Sequence, residues 1–127
     1  MNSVNLTRGL VVLFWLALAF TLGMALLPAP PKALLIGGDK TLHVTAFVAL
    51  TLLARLAFRH RRLIDLFVAL AVIGGLIEVL QIIPVFQRDA ELADWIADCA
   101  AIAVTLGVVK FVQMIEAART VASIEGA

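Results

Sequence analysis

The chain has 127 residues, of which 63 % are hydrophobic and only 15 % charged, with a mean hydropathy of +1.07. A soluble domain of this size is about 45–50 % apolar and about a quarter charged, so the composition excludes an ordinary soluble fold and argues for one integral membrane domain over residues 1–127. A net charge of +1 provides no general basic surface for nucleic acid, and the lone Cys99 excludes an intrachain disulfide framework and a Cys-x-x-Cys metal motif.

Residues 9–27 form 19 consecutive uncharged positions, close to the ~20 that a helix needs to cross the hydrocarbon core. Arg8 precedes the run, as in a signal peptide, but the apolar region of a signal is normally only about 7–15 residues. The prolines that follow also make a poor cleavage site, so the run reads as a retained first helix. Pro28, Pro30 and Pro31 stop it, because proline lacks an amide donor and constrains the residue before it. Gly37 and Gly38 loosen the backbone ahead of Asp39, which is placed to cap the amide end of a second helix over about 40–58.

Arg59, His60, Arg61 and Arg62 then make a dense basic turn. A third apolar run, 63–83, ends at Pro84, and its Gly74-Gly75 pair invites the close approach of a neighbouring helix. A last span is expected over about 92–114, followed by a short polar tail. The expectation is an all-α bundle of four transmembrane helices.

Charge sets the expected orientation. With the amino terminus inside, Arg8, Arg55, Arg59, Arg61, Arg62, Lys110 and Arg119 lie on the cytoplasmic side, against Lys32, Lys40 and Arg88 outside. Seven against three satisfies the positive-inside rule and places both termini in the cytoplasm.

The polar residues interrupt this lipid-adapted pattern at one level. At 1.5 Å per residue, His43 lies roughly 6 Å in from Asp39, Glu78 roughly 8 Å below residue 83, and Asp94 and Asp98 roughly 3 and 9 Å in from residue 92. Asp39, Lys40 and His43 share a helix face, as do Glu78 and Gln81, and as do Glu91, Asp94 and Asp98. Lipid-facing carboxylates are costly, so these faces are expected to turn inward on a shared extracytoplasmic cavity, with Trp95 near the interface.

The order of these elements resembles the VanZ-like family of small membrane proteins. The matching residues are Asp39, Lys40, His43 and Phe47 (D-K-x-x-H-x-x-x-F), then Glu78 and Gln81 (E-x-x-Q), Arg88, and Asp94 and Asp98 (D-x-x-x-D), covering roughly 39–107. Two positions depart from the pattern: Asp98 stands where many relatives have Asn, and Ala101 where Gly is common. The extra carboxyl must then be protonated or paired with Arg88, Lys40 or His43. The resemblance implies a bacterial cytoplasmic membrane and an envelope-related role, since the family takes its name from a teicoplanin-resistance factor; it implies no reaction and no cofactor.

Three readings of the cluster Asp39, Lys40, His43, Glu78, Gln81, Arg88, Asp94 and Asp98 stay open. It can bind an anionic or peptide-like envelope headgroup, with Lys40, His43 and Arg88 as donors. It can lock the bundle as an interhelical network, although such contacts average only about 0.6 kcal/mol in membranes. It can also run acid/base chemistry on an envelope lipid through His43, with a carboxylate holding its tautomer, although no nucleophile shares the layer. One histidine and no dedicated ligand motif argue against a metal, and four helices are few for alternating-access transport.

Overall fold

A computed structural model describes residues 3–28, 39–86 and 90–125; within its helices, the side chains of residues 3, 39, 40 and 125 are outside the description. Among the described residues the chain is all-helical, with no strand. The four helices are α1 (Ser3–Ala25), α2 (Asp39–Ala57), α3 (Leu63–Gln81) and α4 (Leu92–Glu125), with a 3-10 turn at Pro84–Phe86 between the last two. Three are long and apolar enough to cross a membrane, and the apolar part of α2, Thr41–Ala57, is shorter.

Each end has a local cause. α1 closes through the Leu26 amide on the Leu22 carbonyl (3.1 Å), just before Pro28. α3 gives way after Gln81 to a turn that leads into Pro84, which has no amide proton to continue the ladder. The basic turn at 58–62 is so short that α2 and α3 must run antiparallel. Arg55 donates from Nη1 to the Arg59 carbonyl (2.6 Å), and the Arg61 amide to the Phe58 carbonyl (3.0 Å).

Two helix limits differ from the sequence expectation. α1 begins at Ser3, not near residue 9, and α4 runs on to Glu125, past the expected end at Met114. In both cases hydropathy marks where lipid contact stops, whereas the helix stops only where capping or a breaker ends it. Residues 115–125 contain neither glycine nor proline and are mostly competent helix formers. α4 is thus about 51 Å long at 1.5 Å per residue, well beyond a hydrocarbon core of about 30 Å.

α2 packs against the three other helices, and α4 lies along both α2 and α3. The core they enclose is made of Phe47, Leu50, Ala54, Leu70, Ile77, Ile102 and Leu106, with Phe14 and Leu18 contributed by α1. Core positions recur every three or four residues: 47, 50, 54 and 57 on α2, and 66, 70, 74 and 77 on α3. The outward face of α3 carries Ile64, Val68, Val72, Leu76 and Val79, all exposed. A water-soluble bundle would place polar residues there, so this apolar exterior is the surface of a protein solvated by lipid.

Polar residues that enter the lower core are satisfied locally. Thr51 and Thr105 donate back to the carbonyls of Phe47 (2.6 Å) and Ala101 (2.7 Å), four residues earlier in their own helices.

Candidate functional site

The buried ionisable residues, together with Gln81, gather at one end of the bundle, opposite the basic turn. There the start of α2, the end of α3 and the start of α4 meet, and His43, Glu78, Gln81, Asp94 and Asp98 are all buried. The i, i+4 spacing of Asp94 and Asp98 puts both on the face of α4 that looks into the bundle. His43 stands one turn before Phe47 on the inward face of α2, and Glu78 follows Ile77 on α3.

Close helix approach makes the meeting possible. A Cβ added at Gly74 would lie 3.3 Å from Asp98 Oδ2, 3.3 Å from Phe47 Cζ and 3.4 Å from Trp95 Cδ1. Gly75 is likewise covered by the Trp95 ring, with Nε1 3.3 Å from the same construction. α4 therefore rests on the glycine pair of α3, and Asp98 sits in space that any larger residue at 74 would occupy. Trp95 donates from Nε1 to the Ala71 carbonyl at 2.9 Å. It is half-buried, and its ring and hydrogen bond join α4 to α3.

Three contacts define the cluster. His43 Nδ1 lies 3.4 Å from Asp98 Oδ2, a pairing across 55 residues of chain. When Nδ1 carries the proton and donates to this carboxylate, Nε2 is left with the lone pair. Glu78 Oε2 accepts the Glu91 amide at 3.0 Å, so a carboxylate from α3 meets the positive amide end of α4. One ligand-type atom from each of His43, Glu78 and Asp94 lies within 4.8 Å of the other two. Two buried oxygens, Glu78 Oε1 and Asp98 Oδ1, have no hydrogen-bond partner among the described residues.

Gln81 behaves differently from its neighbours. Its Nε2 donates to the Ala25 carbonyl at 2.9 Å, one of the last carbonyls of α1, which have no amide partner within their helix. Gln81 thus ties α3 to α1, and this role was not visible in its i, i+3 relation to Glu78. The side chains of Asp39 and Lys40, and the whole of Arg88, lie outside the described residues. The capping role of Asp39 and the cationic donors expected from Lys40 and Arg88 fall there as well. Cys99 is a half-buried free thiol.

The departure from the resembled pattern at Asp98 thus has a partner in His43. Of the three expected, His43 is the one the described residues bring to it.

No family model, no curated protein and no solved structure matches this chain. The site is therefore defined by its own geometry: an imidazole and three carboxyl groups, delivered by three helices of a membrane-type bundle to one buried end.

Proposed function

We propose that this chain is a VanZ-like multi-pass protein of a bacterial cytoplasmic membrane. In this reading both termini are cytoplasmic, and the buried cluster binds an anionic or peptide-like headgroup of the cell envelope at the extracytoplasmic leaflet. The observation that carries the reading is polar capacity in excess of structural need. Gln81 and Trp95 already join the helices by single neutral hydrogen bonds, yet His43, Glu78, Asp94 and Asp98 add ionisable groups in a medium where they are costly. In that reading Arg88 and Lys40 meet the negative parts of the headgroup, and the carboxylates accept from its amides or amine.

The test replaces His43 and Arg88 by glutamine, which keeps donors while removing the charge. Both variants should lose envelope-related function, read as altered susceptibility to a glycopeptide antibiotic, while membrane abundance and thermal stability in metal-free detergent stay at the parent level. Parallel loss of function and stability in both variants would defeat the binding reading. It would instead favour a structural network, for which the Glu78 contact with the Glu91 amide is the specific support. Acid/base catalysis is a second reading, favoured by the His43–Asp98 pair, since a carboxylate on Nδ1 orients an imidazole for proton transfer at Nε2.

A further inference from the structure

Among the described residues His43 is the only buried basic side chain, and it faces the carboxyl groups of Glu78, Asp94 and Asp98. Glu78 and Asp98 are more than nine-tenths buried, and each has an oxygen with no hydrogen-bond partner among the described residues. A buried carboxylate oxygen without a hydrogen-bond partner is costly, and such an oxygen is usually retained where it meets a cation.

We propose that His43, Glu78 and Asp94 bind one divalent transition-metal ion, of the Mn²⁺ to Zn²⁺ type, with Asp98 as the positioning residue for His43. The three ligand atoms already lie within 4.8 Å of one another. Bonds of roughly 2.0–2.2 Å place ligand atoms roughly 3–4 Å apart around an ion, so small side-chain rotations close the site. The supporting contacts are those that metal ligands use. A carboxylate on Nδ1 fixes the histidine tautomer, as in carboxylate–histidine–metal triads, and the Glu91 amide holds Glu78 Oε2 while Oε1 has no described partner.

One nitrogen with two carboxylates points away from Mg²⁺ and Ca²⁺, which favour all-oxygen shells, and toward ions that accept imidazole. Two carboxylates also match the charge of a divalent ion. Three protein ligands leave at least one coordination position open, as in reactive rather than purely structural sites. Resting on the headgroup reading above, that position is where an anionic headgroup oxygen binds.

The experiment uses the full-length, tag-free protein in detergent, stripped with EDTA and dialysed against Zn²⁺ or Mn²⁺. Elemental analysis should find about one ion per chain, and the ion should raise the melting temperature. Asp94→Asn and Glu78→Gln should lose the ion, yet melt in EDTA at or above the parent temperature, because each removes a buried charge. Asp98→Asn should keep the stoichiometry and weaken affinity, up to about 10–100-fold. His60→Gln, in the exposed basic turn, should change nothing. Substoichiometric metal in a parent protein that melts cooperatively would overturn the proposal, as it would if Arg88 or Lys40 neutralised the carboxylates instead. Ion binding that survives both Asp94→Asn and Glu78→Gln would also overturn it. A stoichiometric ion lost in those variants, with envelope function intact, would leave the metal site standing and remove the headgroup reading.

Discussion

Gly74→Ala tests the helix contact on which the cluster depends. The new methyl carbon would lie 3.3 Å from Asp98 Oδ2 and from Phe47 Cζ, and 3.4 Å from Trp95 Cδ1. Favourable separations between carbon atoms are about 3.5–4.0 Å, so three neighbours must each yield by a few tenths of an ångström. Two of them cannot do so cheaply: Phe47 and Asp98 are each 0 % exposed. Overpacking of this kind costs about 1–3 kcal/mol, while alanine in a helix returns up to about 1 kcal/mol relative to glycine. The expected result is a net destabilisation of up to about 2 kcal/mol in denaturant or thermal unfolding in detergent, against a gain of up to about 1 kcal/mol where the added methyl meets nothing. It should be accompanied by weaker metal binding, because the methyl displaces the oxygen that holds His43. Gly107→Ala and Gly23→Ala serve as controls, since nothing lies within 4 Å of either added carbon; both should be neutral or slightly stabilising. If Gly74→Ala matched those controls in stability and metal affinity, α3 and α4 could not be in contact at Asp98, and the account of the site would fail with it.

Gln81→Leu removes the bond to the Ala25 carbonyl and should cost about 0.6 kcal/mol and no more than about 1.7, the average and the maximum measured for interhelical hydrogen bonds in a membrane protein; metal stoichiometry should be unchanged, and loss of the ion would place Gln81 in the site after all. Cysteines at 78 and 94, in a Cys99→Ser background, should crosslink with short reagents, whereas cysteines at the exposed positions Leu76 and Ile96 should not; equal yields would mean that the helix faces are misassigned. A reporter fused after Ala127 should read cytoplasmic and one inserted near Lys32 extracytoplasmic, and the opposite pattern would move the cluster to the inner leaflet.

The helices were legible because their causes are local. Lipid offers no hydrogen-bond partners to the backbone, so an apolar run of sufficient length must satisfy its own amides as a helix, and Pro28, the basic turn and Pro84 punctuate the runs. The polar layer was legible for a related reason: His43, Glu78, Asp94 and Asp98 are too costly to face lipid, and the rise per residue assigns each a depth. Helix ends were less legible, because hydropathy reports the membrane boundary, and α4 continues beyond it through residues 110–124, all of them exposed.

Sequence alone therefore determined the all-helical, membrane-type architecture and the end of the bundle at which charge collects. Tertiary structure alone decided who meets whom. His43 and Asp98 are 55 residues apart, and Gln81 reaches 56 residues back to Ala25; nothing in local spacing distinguishes these partners from their competitors. The choice is made where Gly74 lets α4 settle onto α3, since the missing side chain sets how near, and at what rotation, two helices pack. That rotation separates Gln81, turned to the open carbonyl of α1, from Glu78 three residues before it, turned into the cluster, because relative helix orientation is a property of the packed core and not of any one segment.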